Sequence, residues 1–152
     1  MCKRAFPFVL GKDKIIEETL MLRIILGVIV GFVVWSILWV GIDAVLRAIF
    51  SSYDEGVRTM TFSSTMLMIP LALSAFCSIV SGFVAALIAR ENSKSPFVLG
   101  ILLLIVGIFV QISVWDKIPL WYNFAFWVLL IPMTILGGRL RSSEVRNKRR
   151  EF

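Results

Sequence analysis

Asp43 and Arg47 stand four residues apart in the stretch WVGIDAVLRAIF, residues 39–50, at the end of a long apolar run. That spacing makes them neighbours on one helix face, so they can pair. Ser36 falls on the same face. Gln111, Asp116 and Asn123 lie around the third reversal of the chain and come to the same end as Asp43 once the apolar runs are folded back and forth. Together Asp43, Arg47, Gln111, Asp116 and Asn123 could line a polar pocket, with Asp43 as a carboxylate able to bind and release a cation or a proton. Gln111 is the most suggestive, because it is uncharged, lies inside an apolar run, and a buried amide needs partners. The competing reading is plainer. A charge near the end of a membrane helix costs much less than one at the midplane, and long charged side chains snorkel to water, so Asp43 and Arg47 could simply end and anchor the helix.

Other chemistry is thin. The chain contains no histidine. That removes His-ligated haem, most zinc sites, the Ser-His triad and most His-based proton transfer. There is no GxSxG, no HExxH and no Gly-rich phosphate loop. No metal, cofactor or enzymatic reaction is expected. Cys2 lies in a polar segment and Cys77 in an apolar one, so no disulfide is expected. No apolar region precedes Cys2, so it does not fit a lipoprotein signal.

The elements that must position the polar residues follow from composition. Of the 152 residues 59% are hydrophobic, against roughly 45–50% in soluble domains. The mean hydropathy is +0.90. The excess is gathered into blocks, which predicts an all-α integral membrane protein, a bundle of four transmembrane helices. A span needs about 20 apolar residues to cross roughly 30 Å of hydrocarbon. Four segments qualify: about 22–46, 66–89, 96–115 and 119–140. The first is too long for a signal peptide and lacks a small-residue cleavage site, so it is expected to stay as an anchor. Measured from Leu22, Asp43 lies about 31 Å along the first span. The connections are short: 51–65, 90–94 and 116–118. Ser95-Pro96 suits a helix start, since Ser can cap and Pro is tolerated in the first turn.

Basic residues set the orientation. Lys3, Arg4, Lys12, Lys14 and Arg23 precede or open the first span; Arg90 and Lys94 lie in the second connection; Arg139, Arg141, Arg146, Lys148, Arg149 and Arg150 end the chain. These fall on one side, against only Arg47, Arg58 and Lys117 on the other. Both termini are therefore expected in the cytoplasm. Trp115, Trp121 and Tyr122 would form part of an aromatic belt at the far face.

Helices in lipid pack through small residues and buried polar groups. The first span aligns Gly27, Gly31, Leu38 and Gly41; the second aligns Ser74, Ser78, Ser81, Gly82, Ala85 and Ala89; the third aligns Gly100, Gly107 and Gln111; the fourth aligns Asn123, Thr134 and Gly137. Packing within one subunit explains these stripes more simply than a substrate path does. The net charge of +6 is concentrated at the chain ends and one connection, which speaks for orientation rather than nucleic-acid binding. Arg146, Lys148, Arg149 and Arg150 could also touch anionic lipid.

Residues 1–20 are polar and share no pattern with the rest, whereas MetLeuArgIleIleLeuGly from Met21 is a common opening for a bacterial membrane protein. Glu17-Glu18 is necessarily encoded by purine-rich triplets just upstream of Met21, as a ribosome-binding site would be. Translation is therefore expected to begin at Met21. The organisation read from the sequence is a polar segment 1–20, a transmembrane domain 21–141 and a basic tail 142–152.

Residues 81–103, SGFVAALIARENSKSPFVLGILL, and 120–140, LWYNFAFWVLLIPMTILGGRL, resemble a large group of small bacterial inner-membrane proteins. These have four spans, a GG-F/Y-VAA-x-IA pattern ending the second, an LW pair opening the fourth, and a Pro followed by Gly-Gly or Gly-Ala closing it. An acidic residue late in the first span, where Asp43 stands, is frequent among them. The resemblance covers about residues 21–141; Ser81 replaces the first Gly of the pair, and the Pro-rich outer loop is missing. It implies architecture and location in the inner membrane, and carries no reaction.

Two functions remain in view. One is a non-enzymatic accessory or scaffold component, alone or with a membrane partner subunit. The other is a small-molecule or ion transporter acting as a homo-oligomer, with Asp43 as the coupling carboxylate. Small exporters of similar size use a carboxylate nearer the middle of the first helix, whereas Asp43 sits far out and brings its own Arg47.

Overall fold

The computed structural model describes residues 6–59, 63–90, 94–113 and 115–148. The chain folds into α1 (Phe6–Ile49), α2 (Ser51–Thr59), α3 (Ser64–Ala89), α4 (Lys94–Ile112) and α5 (Leu120–Lys148), with a 3-10 turn at Trp115–Lys117 between the last two. No strand occurs among the described residues. Four helices are long and apolar enough to cross a membrane, through segments Glu17–Ile49, Ser64–Ala89, Lys94–Ile112 and Leu120–Arg141. The protein is an all-α, multi-pass membrane bundle.

Helix α3 begins and ends for local reasons. Ser63 stands in extended conformation before α3, and its Oγ accepts from the Met66 N–H at 3.3 Å, which satisfies one of the free amides of the first turn. Arg90 closes α3 in the left-handed region at φ 55°, a conformation usually given to glycine or asparagine. Pro70 and Pro132 sit inside α3 and α5; each removes one intrahelical donor, a loss that packed transmembrane helices tolerate.

The first helix is longer than its apolar run. Its backbone is helical from Phe6, so the polar segment leads into the span without a break. Glu17–Ile49 comprises 33 residues, a length of about 50 Å. Only part of it fits the roughly 30 Å of hydrocarbon. Arg23 and Asp43 lie about 30 Å apart along the axis, so these charges bracket the apolar layer.

The 51–65 connection is not a plain loop. It contains α2, whose start is set by the Phe50 carbonyl accepting from the N–H groups of Tyr53 and Asp54 at 3.0 and 3.1 Å. Asp54 in the first turn and Arg58 in the last complement the helix dipole and pair with each other at 2.8 Å. The buried residues of α2 are Tyr53 and Gly56, which turn it back onto α1.

In the bundle α3 is the central element, packed against α1, α4 and α5. Small residues make this possible. Ser74, Ser78, Ser81, Gly82, Ala85 and Ala89 are all buried along it. A Cβ at Gly27 would come within 2.7 Å of the Ala85 carbonyl oxygen, and one at Gly31 within 2.8 Å of Leu99 Cδ2. A Cβ at Gly82 would run into the backbone of Thr134, and one at Gly137 into the backbone of Ile79. Here helix backbones touch directly. Buried hydroxyls turn inward on their own helices: Thr134 Oγ1 donates toward the carbonyls of Leu130 and Ile131 at 3.1 and 2.8 Å, and Ser81 Oγ toward Ser78 at 3.1 Å. Arg141 reaches across from α5 to the Ala86 carbonyl.

Gly41 differs from the other glycines of its stripe, since a Cβ there would meet nothing within 4 Å. The small face of α1 continues beyond the level at which its neighbours touch it. Ser95 and Pro96 also differ slightly from expectation: α4 begins at Lys94, and both are buried in its first turn.

Candidate functional site

The opposite end of the bundle is built from larger side chains. Gly27 lies against Ser95 and Gly31 against Leu99, an offset of 68 residues in both pairs (95 − 27 and 99 − 31). Further along, Trp39 of α1 and Gly107 and Gln111 of α4 line one cleft. α1 and α5 have no substantial packing between them along their length. The space left is a cleft of about 300 Å³ lined by Trp35 and Trp39 of α1, Val106, Gly107, Val110 and Gln111 of α4, Ile118, and Tyr122 and Phe126 of α5. Gly107 lets Phe126 approach, since a Cβ there would stand 2.9 Å from Phe126 Cε1.

The walls are held in place. Trp35 and Trp39 stack with ring centroids 5.4 Å apart and planes 6° from parallel. Trp35 Nε1 donates to Ser78 Oγ of α3 at 3.2 Å, which fixes the pair against the central helix. Tyr122 and Phe126 stack at 6.2 Å on the far wall. Tyr122 is 6% exposed and belongs to the core, so of the three belt residues only Trp115 and Trp121 are exposed.

Beside the cleft, Asp43 accepts from two sides. Arg47 Nη2 approaches Asp43 Oδ2 to 2.5 Å, and Tyr53 Oη donates to Asp43 Oδ1 at 3.0 Å. Arg47 is open to solvent at 42%, Asp43 only at 17%. Burial pushes the Tyr53 hydroxyl up to about 12, helped by the Asp43 charge and the hydrogen bond to it, with Arg47 acting in the opposite sense. Tyr53 is thus a fixed donor at neutral pH, and the carboxylate is bound to Arg47 and Tyr53 at once.

The five polar residues singled out in the sequence separate into three groups. Asp43 and Arg47 form the ion pair, joined by Tyr53 from α2. Gln111 lines the cleft and is 5% exposed; Asn123 is completely buried on α5. The Gln111 Oε1 and both amide atoms of Asn123 are enclosed without a hydrogen-bond partner. Asp116 is exposed on the 3-10 turn and has no ion pair among the described residues. Tyr53, Trp35, Trp39, Tyr122 and Phe126 are the site residues that spacing alone did not single out. Tyr53 had a usable signal: Asp54 and Arg58 in helical register mark residues 51–59 as a helix that can fold back. The aromatic residues had none beyond their apolarity.

Among the described residues no three of Asp, Glu, Cys and His converge as a metal site. Cys77 is buried and unpaired. The basic tail residues Arg149 and Arg150, like Cys2, lie outside the described residues, and α5 carries Arg146 and Lys148 only as helical backbone. What the arrangement can do is hold an uncharged, mainly apolar body against aromatic walls. Comparison with protein-family models, curated proteins and solved structures finds no match for the chain.

Proposed function

We propose that the chain is a non-enzymatic accessory or scaffold protein of a bacterial inner membrane, crossing it four times with both termini in the cytoplasm. The observation that carries this reading is the state of Asp43. It is the only acidic residue within the four apolar segments, and it is occupied by Arg47 at 2.5 Å and Tyr53 at 3.0 Å at the end of its span. A coupling carboxylate has to exchange its partner for substrate or proton. A carboxylate with an adjacent guanidinium and a buried tyrosine donor serves to end α1 and to fasten α2. The location is supported by the placement of the basic residues, and by the resemblance of residues 81–103 and 120–140 to small bacterial inner-membrane proteins.

Native mass spectrometry of the untagged protein, released from a mild detergent, tests the proposal. A stoichiometric foreign subunit is the expected result, retained by the Asp43→Asn variant. A discrete homodimer in which Asp43→Asn abolishes ion or substrate flux would favour the transporter reading.

A further inference from the structure

We propose that the cleft between α1, α4 and α5 is a binding site for an uncharged, ring-bearing alcohol that reaches it from the lipid and bonds to Gln111. The inference goes beyond the accessory role, which needs no small ligand. The cleft's volume of about 300 Å³ lies at the lower end of the roughly 300–1,000 Å³ of small-molecule sites. Trp35 is fixed by Ser78 and stacked on Trp39, so one wall is formed before any ligand arrives. Tyr122 and Phe126 face it from α5. Val110 lines the cleft and is 62% exposed, which opens the site toward the lipid.

Two features select the ligand. No charged side chain lines the cleft, so an ion would lose its hydration without gaining a partner. Flat or compact rings, by contrast, pack well against aromatic faces. The second feature is Gln111, 95% buried, with its side-chain carbonyl oxygen enclosed and unbonded. An acyl chain would fill the space and leave that amide unsatisfied, at the cost of its lost hydrogen bond. A hydroxyl both donates and accepts, so it satisfies the amide whichever way the group is turned. A ring carrying one hydroxyl therefore meets both requirements of the cleft.

The test uses menthol and its methyl ether, which share a ring and differ in the donor. The full chain is reconstituted in lipid nanodiscs, and binding is followed through tryptophan fluorescence, to which Trp35 and Trp39 in the cleft wall contribute, at matched ligand concentrations in the bilayer. Menthol should bind roughly tenfold more tightly than the ether, and Gln111→Leu should bind both with the ether's affinity. Equal affinities in the wild type, a preference that survives in Gln111→Leu, or no response to either ligand would each overturn the proposal. If Gln111→Leu fails to fold, the wild-type comparison of the two ligands decides alone.

Discussion

The two ends of this bundle are packed by different rules. At the end carrying Arg23, Arg90 and Arg141, glycine, alanine and serine let backbones touch, and Gly82 and Gly137 sit on the main chain of a neighbouring helix. At the end carrying Asp43, aromatic side chains of α1 and α5 line a cleft. In lipid there is little hydrophobic force between helices, so close backbone contact is where adhesion arises. The small-residue end is therefore built for rigidity and the aromatic end for reception. The same division explains the unbonded amides. Gln111 and Asn123 lie toward the aromatic end, whereas at the other end Thr134 and Ser81 satisfy their hydroxyls on their own helices.

The sharpest way to break this comparison is at the tight end. Gly137→Leu should destabilise the bundle by at least about 3 kcal/mol in reversible detergent unfolding, because the main chain at Ile79 and Phe83 cannot yield as a side chain can. A loss below about 1 kcal/mol would show that the backbones are free to separate.

Next in size is the anchor of α2. Asp43→Ala removes an ion pair and a hydrogen bond to a charged group; a loss of about 1–2 kcal/mol is expected. The same contact has a pH signature. The folded-state value of Tyr53 is raised from 10.0 to about 12. Its contribution to stability is thus complete below pH 10.0 and is lost as pH rises through about 12. In Tyr122→Phe protein, which leaves Tyr53 as the sole tyrosine, the tyrosinate absorbance should appear near pH 12. A midpoint at the ordinary value would mean that Tyr53 does not dock on Asp43.

Smaller effects sharpen the picture. Asn123→Leu deletes a fully buried, unbonded amide and should leave stability unchanged or raise it by about 1 kcal/mol. A clear loss in the same unfolding assay would mean that the amide has a partner in the membrane. Gly41→Ala should be the mildest change, with a gain of up to about 1 kcal/mol from helix propensity, because nothing stands within 4 Å of the new methyl group.

Much of the architecture was legible because helical periodicity is a strong signal. The spans expected at 66–89 and 119–140 match Ser64–Ala89 and Leu120–Arg141 within two residues at each end. The stripes of small residues on α3 and α5 were visible because each repeats with the helical turn. Gly41 shows the limit of such a stripe: periodicity names a face and does not say how far along it the neighbour reaches. The Asp43–Arg47 pair was legible from its spacing of four; for Tyr53 the spacing of Asp54 and Arg58 marks only a helix, and its contact with α1 depends on the turn at Phe50. The cleft was invisible for a related reason. It arises from α1 and α5 standing apart, and no local pattern encodes a distance between helices.

The most direct test of the two-ended account compares one substitution at both ends. Gly82→Ala and Gly107→Ala add the same methyl group, the first against the backbone of Thr134 and the second against the ring of Phe126, which can swing into the cleft. Unfolding free energies measured side by side should show Gly82→Ala costing at least about 2 kcal/mol more than Gly107→Ala. An equal cost at the two sites, or a larger one at Gly107, would contradict the division of the bundle into a rigid end and a receptive one.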